Sequence, residues 1–151
     1  MSAAATQVSL PLYEEATSYW EDLTRECEQQ IAAINSVASA NEVAEDERLI
    51  WRPNGDRLSI VRENFPSTEV NLSLAFEQWG PKICGSVRGY EEDECSFYPE
   101  EFEFALGLDP DQGTVAITGE GLGLCARELA AYVAQQFRRS FPGLSLPCPG
   151  C

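Results

Sequence analysis

The last four residues carry the spacing most typical of thiol chemistry, Cys148-Pro-Gly-Cys151. A Cys-x-x-Cys pair occurs both in redox dithiols and in zinc knuckles. Redox pairs usually lie at a helix N-terminus, which lowers the thiol pKa, whereas this pair follows the last predicted helix. Cys84 and Cys95 could complete a zinc site with four thiolates, although they lie on different predicted elements. A thiol or zinc protein is therefore one alternative, and we expect the two terminal cysteines to contribute little to folding.

Two glycine-containing segments imitate ligand-binding loops without matching them. Residues 119–125 have Leu124 where a G-x-G-x-x-G loop requires its third glycine. Residues 109–113 place Gly113 at the fifth position of an EF-hand-like loop, which requires glycine at the sixth. We interpret the first segment as a strand-to-helix connection and the second as a hairpin turn. Zinc apart, no cofactor is predicted.

The sequence contains no histidine. This excludes the Ser-His-Asp triad, the Cys-His dyad and zinc sites that need imidazole ligands. Glu101 and Glu103 point the same way along one predicted strand, but no partner acid or base accompanies them. No catalytic residue is assigned, and the pattern favours a protein that is not an enzyme.

The charge is strongly unbalanced, with 25 acidic residues against 10 basic ones and a net charge of -15. Such a surface repels nucleic-acid phosphates and anionic membrane leaflets, so neither is an expected partner. Cationic proteins are the favoured partners. The simpler interpretation is solubility alone, because net charge of this sign also keeps a protein dissolved.

Residues 91–101 form the one long acidic run of the chain and enclose two aromatic residues. Acidic residues would attract a basic partner, and aromatic residues would anchor it, because interface energy concentrates in aromatic side chains. The alternative is a solvated loop whose aromatic rings fold back onto the sheet. The leading hypothesis is a small non-enzymatic protein-binding module of inhibitor, immunity or adaptor type. Its predicted partner-binding residues are Glu91, Glu92, Asp93, Glu94, Phe97 and Tyr98.

Two segments have the three-four spacing of amphipathic helices. The first helix is predicted over residues 11–39, and the second over residues 123–140. The predicted buried stripe of the first helix is Ala16, Trp20, Leu23, Cys27, Ile31, Ile34 and Ala38. That of the second helix is Ala126, Leu129, Ala130, Val133, Ala134 and Phe137.

Between the helices, apolar and polar residues alternate, which is typical of half-buried strands. Strands are predicted over residues 47–52, 56–63, 70–77, 82–90, 102–108 and 114–118, with a hairpin turn centred on Asn54-Gly55. Gly85 and Gly89 indicate a bulge or a close neighbour. Val70, Leu72, Leu74 and Phe76 are expected in the core, with Glu69, Asn71 and Ser73 facing water.

These elements predict an α+β fold in which both helices cover one face of a six-stranded antiparallel meander. Residues 1–10 are expected to form a flexible arm, residues 11–141 a single domain and residues 142–151 a tail. A cavity between a curved sheet and its helices would favour a second alternative, a small-molecule binding protein. With no signal peptide or long apolar segment recognised, a cytoplasmic location is expected.

Overall fold

The computed structural model describes residues 2–63, 67–78, 80–91, 96–108, 115–117 and 125–137. It confirms an α+β fold with an antiparallel sheet of five strands and two helices. The elements in chain order are α1 (Ser2–Ala40), a 3-10 turn (Glu45–Glu47), β1 (Ile50–Asn54), β2 (Arg57–Arg62), β3 (Thr68–Glu77), β4 (Gly80–Glu91), β5 (Ser96–Leu108), β6 (Val115–Ile117) and α2 (Ala126–Gln135). Within the described residues, no helix is long and apolar enough to cross a membrane.

Helix α1 begins nine residues before the predicted start, at Ser2. Residues 2–10 are helical because they are rich in alanine, which has the highest helix propensity, and the helix continues through Pro11. All seven residues of the predicted stripe are buried. Whether the first ten residues are flexible stays a prediction.

The C-terminal end of α1 is closed by backbone hydrogen bonds. The amide of Val43 donates to the carbonyl of Ala38 at 2.9 Å, and that of Glu42 donates to the carbonyl of Ser39 at 3.1 Å. Glu42 adopts a left-handed conformation, with φ of 62°. These are the features of a Schellman motif, with glutamate at the position that usually carries glycine. The motif turns the chain from the helix toward the sheet.

The side-chain amide of Asn35 fixes α1 to the start of the sheet. Asn35 Nδ2 donates to the carbonyl of Leu49 at 3.0 Å, and the Leu49 amide donates to Asn35 Oδ1 at 2.9 Å. Trp20 makes a second link, because its indole Nε1 donates to the carbonyl of Gly55 at 2.8 Å. The long helix is therefore attached to both ends of β1 by directed hydrogen bonds.

The first hairpin turns one residue later than predicted. Asn54 pairs with Arg57, so the two central residues are Gly55 and Asp56. Only Gly55 has a positive φ, of 63°, as in a II′ turn, where glycine takes the first central position. The predicted strand over residues 47–52 is also displaced, because residues 45–47 form a 3-10 turn before β1.

The buried residues of the sheet belong to one apolar cluster with residues of α1 and α2. Leu58, Ile60, Val70, Leu72 and Leu74 are buried as their alternation predicts, as are Ile83 and Val87. All six residues of the predicted α2 stripe are buried too, and they belong to the same apolar cluster. The described part of α2 is shorter than predicted, and residues 123–124 and 138–140 lie outside the described residues.

The prediction that Phe76 is buried is wrong, because 52% of its surface is exposed. Phe76 lies near the end of β3, beyond the last buried leucine, where its ring contacts Tyr13 of α1 edge-on, with 5.2 Å between the ring centroids. Alternation fixes which way a side chain points but not how far the covering element extends, so the last residue of a correctly oriented row can remain exposed.

The close neighbour predicted at Gly85 is the ring of Phe102. Gly85 of β4 pairs with Phe102 of β5, and a Cβ atom at Gly85 would overlap that ring. Phe102 also contacts Tyr132 of α2 edge-on, with 5.9 Å between the centroids. At the far end of β5, β6 pairs antiparallel with residues 106–108.

Candidate functional site

The outer face of the sheet forms an open groove of about 710 Å³, named here the outer groove. It crosses all five strands β1–β5. Its outer-face side chains belong to Arg52, Asn54, Arg57, Ser59, Asn71, Ser73, Cys84, Ser86, Glu101 and Glu103. Every one of them is polar or a thiol. The groove is therefore the polar counterpart of the apolar inner face.

Strand register explains why these residues meet. Arg57, Ser73, Cys84 and Glu103 occupy one cross-strand row, and Arg52, Ser59, Asn71, Ser86 and Glu101 occupy the next row on the same face. Neighbouring strands lie about 4.8 Å apart, so each row extends over several strand spacings. Both rows contain an arginine on β1 or β2 and end with a glutamate on β5.

The basic side of the groove carries two exposed guanidinium groups. Arg52 lies 3.4 Å from Glu63, measured between Nη2 and Oε1, and both side chains are more than half exposed. Such an exposed pair is weak and is screened by salt. Arg57 forms no ion pair with a described residue. This side of the groove therefore offers one guanidinium group without a described carboxylate partner.

The acidic side is partly neutralised by Lys82, the only lysine of the chain. Its Nζ lies 2.8 Å from Glu77 Oε1 and 3.2 Å from Glu103 Oε1. Hydrogen bonds to Glu77 and then to Glu103 raise the pKa of Lys82, which stays charged at neutral pH. Glu101 forms no ion pair within the described part of the chain. The acidic side thus mirrors the basic side, with one paired and one unpaired charge.

The floor of the groove is uncharged and rich in hydrogen-bonding groups. Ser59 Oγ donates to Asn71 Oδ1 at 2.8 Å, which fixes the orientation of the amide. Glu69, Asn71 and Ser73 lie on the outer face as their alternation predicts, where each is half-buried.

Cys84 is the one predicted thiol residue that lies in the groove. Burial raises the pKa of its thiol, and the charge of Lys82 opposes that shift. The thiol is therefore protonated at neutral pH and is a weak nucleophile. Within the described residues, no group of three or more cysteine, aspartate or glutamate side chains is arranged to hold a metal ion. Cys95, Cys148 and Cys151 lie outside the described residues, so the zinc alternative stays a prediction.

Glu91, Phe97 and Tyr98, three of the predicted partner-binding residues, lie in the last three described pairs of the β4–β5 hairpin, named here the tip. Glu91 is the last residue of β4 and pairs with Ser96. Phe97 and Tyr98 belong to β5, where they pair with Tyr90 and Gly89. This strand begins at Ser96 rather than at the predicted residue 102, so residues 96–101 are strand and not part of a loop. Glu92, Asp93 and Glu94 lie outside the described residues, as do the loop at residues 109–113 and most of residues 119–125. The binding role of the tip stays a prediction.

Sequence reasoning missed the groove. It treated the polar residues of the strands as a wet outer face and assigned no role to Arg52 or Arg57. A signal was present for Arg57, which shares the alternation phase of Ser59 on β2, whereas Arg52 joins that face only through its pairing with Ser59. Their distance from Glu101 in the sequence conceals that the strands bring them onto one surface.

No protein-family model, curated protein or solved structure matches this chain.

Proposed function

We propose that this chain is a non-enzymatic binding module whose partner is a basic protein. The observation that carries the proposal is the course of β5. This strand leads from the acidic run onto the outer face, where Glu101 and Glu103 are exposed. The predicted acidic loop and the acidic side of the outer groove therefore belong to one continuous segment.

The length of the β4–β5 hairpin supports the proposal. The last described pair between β3 and β4 joins Glu69 to Arg88. Three further pairs of the hairpin continue beyond it, and the outermost joins Glu91 to Ser96. A hairpin that projects past its neighbour can contact a partner without displacing the core. The aromatic residues Phe97 and Tyr98 lie in this projecting part.

The electrostatic balance supports a cationic partner. The net charge is -15, and Lys82 is already engaged by Glu77 and Glu103. Long-range attraction of this kind mainly accelerates encounter, whereas buried aromatic anchors slow dissociation. The two kinds of residue should therefore affect different rate constants.

The experiment measures association and dissociation rates with a panel of small cationic proteins at several salt concentrations. Neutralising Glu91, Glu92, Asp93 and Glu94 to Gln or Asn should lower the association rate and flatten its salt dependence. The matched control neutralises four exposed carboxylates on α1, namely Glu14, Glu15, Glu21 and Glu28. It removes the same charge from a different surface.

Phe97→Ala and Tyr98→Ala should instead raise the dissociation rate. Each should weaken the binding free energy by about 1–2 kcal/mol, the loss expected for an aromatic anchor. If the tip variant and the α1 control lose the same association rate, the effect comes from net charge alone and not from the tip. Binding that ignores all six tip substitutions would refute the proposal.

The proposal includes a finer arrangement of the fold. In it, β6 completes a six-stranded sheet and both helices cover the inner face, which leaves the outer face open to partners. Pairing of β6 with residues 106–108 and the contact between Phe102 and Tyr132 support this arrangement. The proposal also keeps the cytoplasmic location expected from the sequence.

A second candidate function is small-molecule binding. The outer groove favours it, since its volume of about 710 Å³ lies within the range of ligand sites. Its position differs from the one expected, because it lies on the open face of the sheet rather than between sheet and helices. Binding of a polar ligand there would leave the hairpin tip free for a partner.

A further inference from the structure

The outer groove carries two opposite charges that have no described ion-pair partner. Arg57 lies on β2 at one side, and Glu101 lies on β5 at the other. Their neighbours Arg52 and Glu103 are engaged by Glu63 and Lys82. The unpaired charges therefore lie diagonally across the groove, and a ligand can reach both only by spanning its width.

The register sets the length of such a ligand. Arg57 and Glu103 share a row, three strand spacings apart, which is roughly 14 Å between Cα atoms. Glu101 lies two residues further along β5, so the diagonal to Arg57 is roughly 16 Å. An extended chain of four residues, at most about 14 Å long, fits between them.

The floor between the two charges suits a peptide backbone. Ser73 and Ser86 supply hydroxyl groups, and Asn71 retains its amide donors because Ser59 occupies only its oxygen. Hydroxyl and amide groups both donate and accept hydrogen bonds. A peptide presents the same alternation of N–H and C=O groups. Phe102 is the one aromatic residue that lines the described groove, and its ring packs against Tyr132 of α2, so the floor does not favour stacking of a flat ring.

We propose that the outer groove binds a short free peptide of about four residues, with its terminal carboxylate on Arg57 and its terminal ammonium group on Glu101. This inference rests on the second candidate function, ligand binding at the groove. It is independent of the basic partner at the hairpin tip. The recognised chemistry is a zwitterion with its charges at the two ends of an extended chain.

The test uses Gly-Ser-Gly-Ser in four forms, with free termini, N-acetylated, C-amidated and doubly capped. Binding to the full chain is measured by calorimetry and by NMR titration at neutral pH. Each cap removes one terminal charge, so each should weaken binding about two- to fivefold, the range expected for ion pairs in an open groove. The NMR signals of Ser59, Asn71, Ser73 and Ser86 should shift with the free peptide.

Two variants test which residue binds which terminus of the peptide. In Arg57→Gln, the C-terminal amide should no longer weaken binding, while N-acetylation still does. In Glu101→Gln, N-acetylation should no longer weaken binding, while the C-terminal amide still does. The matched controls are Arg25→Gln and Glu28→Gln on the exposed surface of α1, which should keep the sensitivity of the wild type to both caps.

Equal affinity for the free and doubly capped peptides would overturn the inference, as would no binding of the free peptide at millimolar concentration. Shifts confined to residues outside the groove would overturn it too, and this readout needs no variant. None of these outcomes bears on Glu91, Glu92, Asp93 and Glu94. Failure of the groove ligand and failure of the basic partner are thus observed separately.

Discussion

The inner and outer faces of the sheet are built from alternate residues of the same strands, but the inner residues are buried and apolar whereas the outer residues are polar. On β3, Val70, Leu72 and Leu74 are buried in the core, while Asn71 and Ser73 line the outer groove. Burial of the inner residues supplies the main driving force for folding. The outer residues contribute little to that force and are free to be selected for binding. Stability is thus carried by the inner residues, and the proposed recognition falls to their outer neighbours.

The largest expected effect tests that separation on one strand. Leu74→Ala should lower the free energy of unfolding by about 2–5 kcal/mol, because it removes buried methyl groups and leaves a cavity. Ser73→Ala, one residue away, should change it by no more than about 0.5 kcal/mol. Urea unfolding of both variants measures the difference. Similar losses in the two variants would mean that the faces are not separated as described.

Gly85→Ala tests the contact that joins the sheet to α2 through Phe102. An added methyl group would overlap the Phe102 ring, so we expect a loss of about 1–3 kcal/mol from overpacking. The double variant Gly85→Ala with Phe102→Leu should lose less than the sum of the two single changes, because the smaller side chain makes room. Thermal and urea unfolding measure this coupling, and strictly additive losses would contradict it.

The buried thiol of Cys27 should make the free energy of unfolding depend on pH. Burial raises the pKa of its thiol from 9.0 to about 12. Above pH 9 the unfolded chain loses this proton while the folded protein keeps it, so stability should fall as pH rises toward 12. The expected slope is at most about 1.4 kcal/mol per pH unit.

Cys27→Ala should reduce that slope between pH 9 and pH 11, as measured by urea unfolding under reducing conditions. Buried Tyr19 contributes a slope of the same sign, because burial also raises its pKa, and this part should remain in the variant. An unchanged slope would show that the Cys27 thiol ionises equally well in both states.

The smallest expected effect concerns the charges of the outer groove. Arg57→Gln and Glu101→Gln should each change the free energy of unfolding by less than about 0.5 kcal/mol, because both side chains are exposed and neither has a described ion-pair partner. Their melting temperatures should match those of the α1 controls. A loss above about 1 kcal/mol in either variant would assign that charge to stability rather than to binding.

Local patterns predicted the elements well where neighbouring residues decide them. The stripes of both helices were identified residue by residue, because the helical period fixes which side chains share a face. The antiparallel order of β1–β5 followed from short connections between alternating segments. Predictions failed at ends and turns, namely the start of α1, the centre of the first hairpin and the exposure of Phe76. The start of α1 depends on the helix propensity of residues that precede the apolar stripe, and the first turn depends on which residues of the two strands pair. The exposure of Phe76 depends on how far the covering element extends.

The sequence by itself determined the charge, the absence of histidine, the amphipathic helices and the alternation of every long strand. These are properties of composition and of spacing over a few residues. Only the tertiary structure decided that Arg57 and Glu101 lie on one surface, that Lys82 neutralises Glu77 and Glu103, and that Phe102 covers Gly85. Strand pairing makes neighbours of residues far apart in the sequence, and no short-range pattern encodes which strands lie side by side.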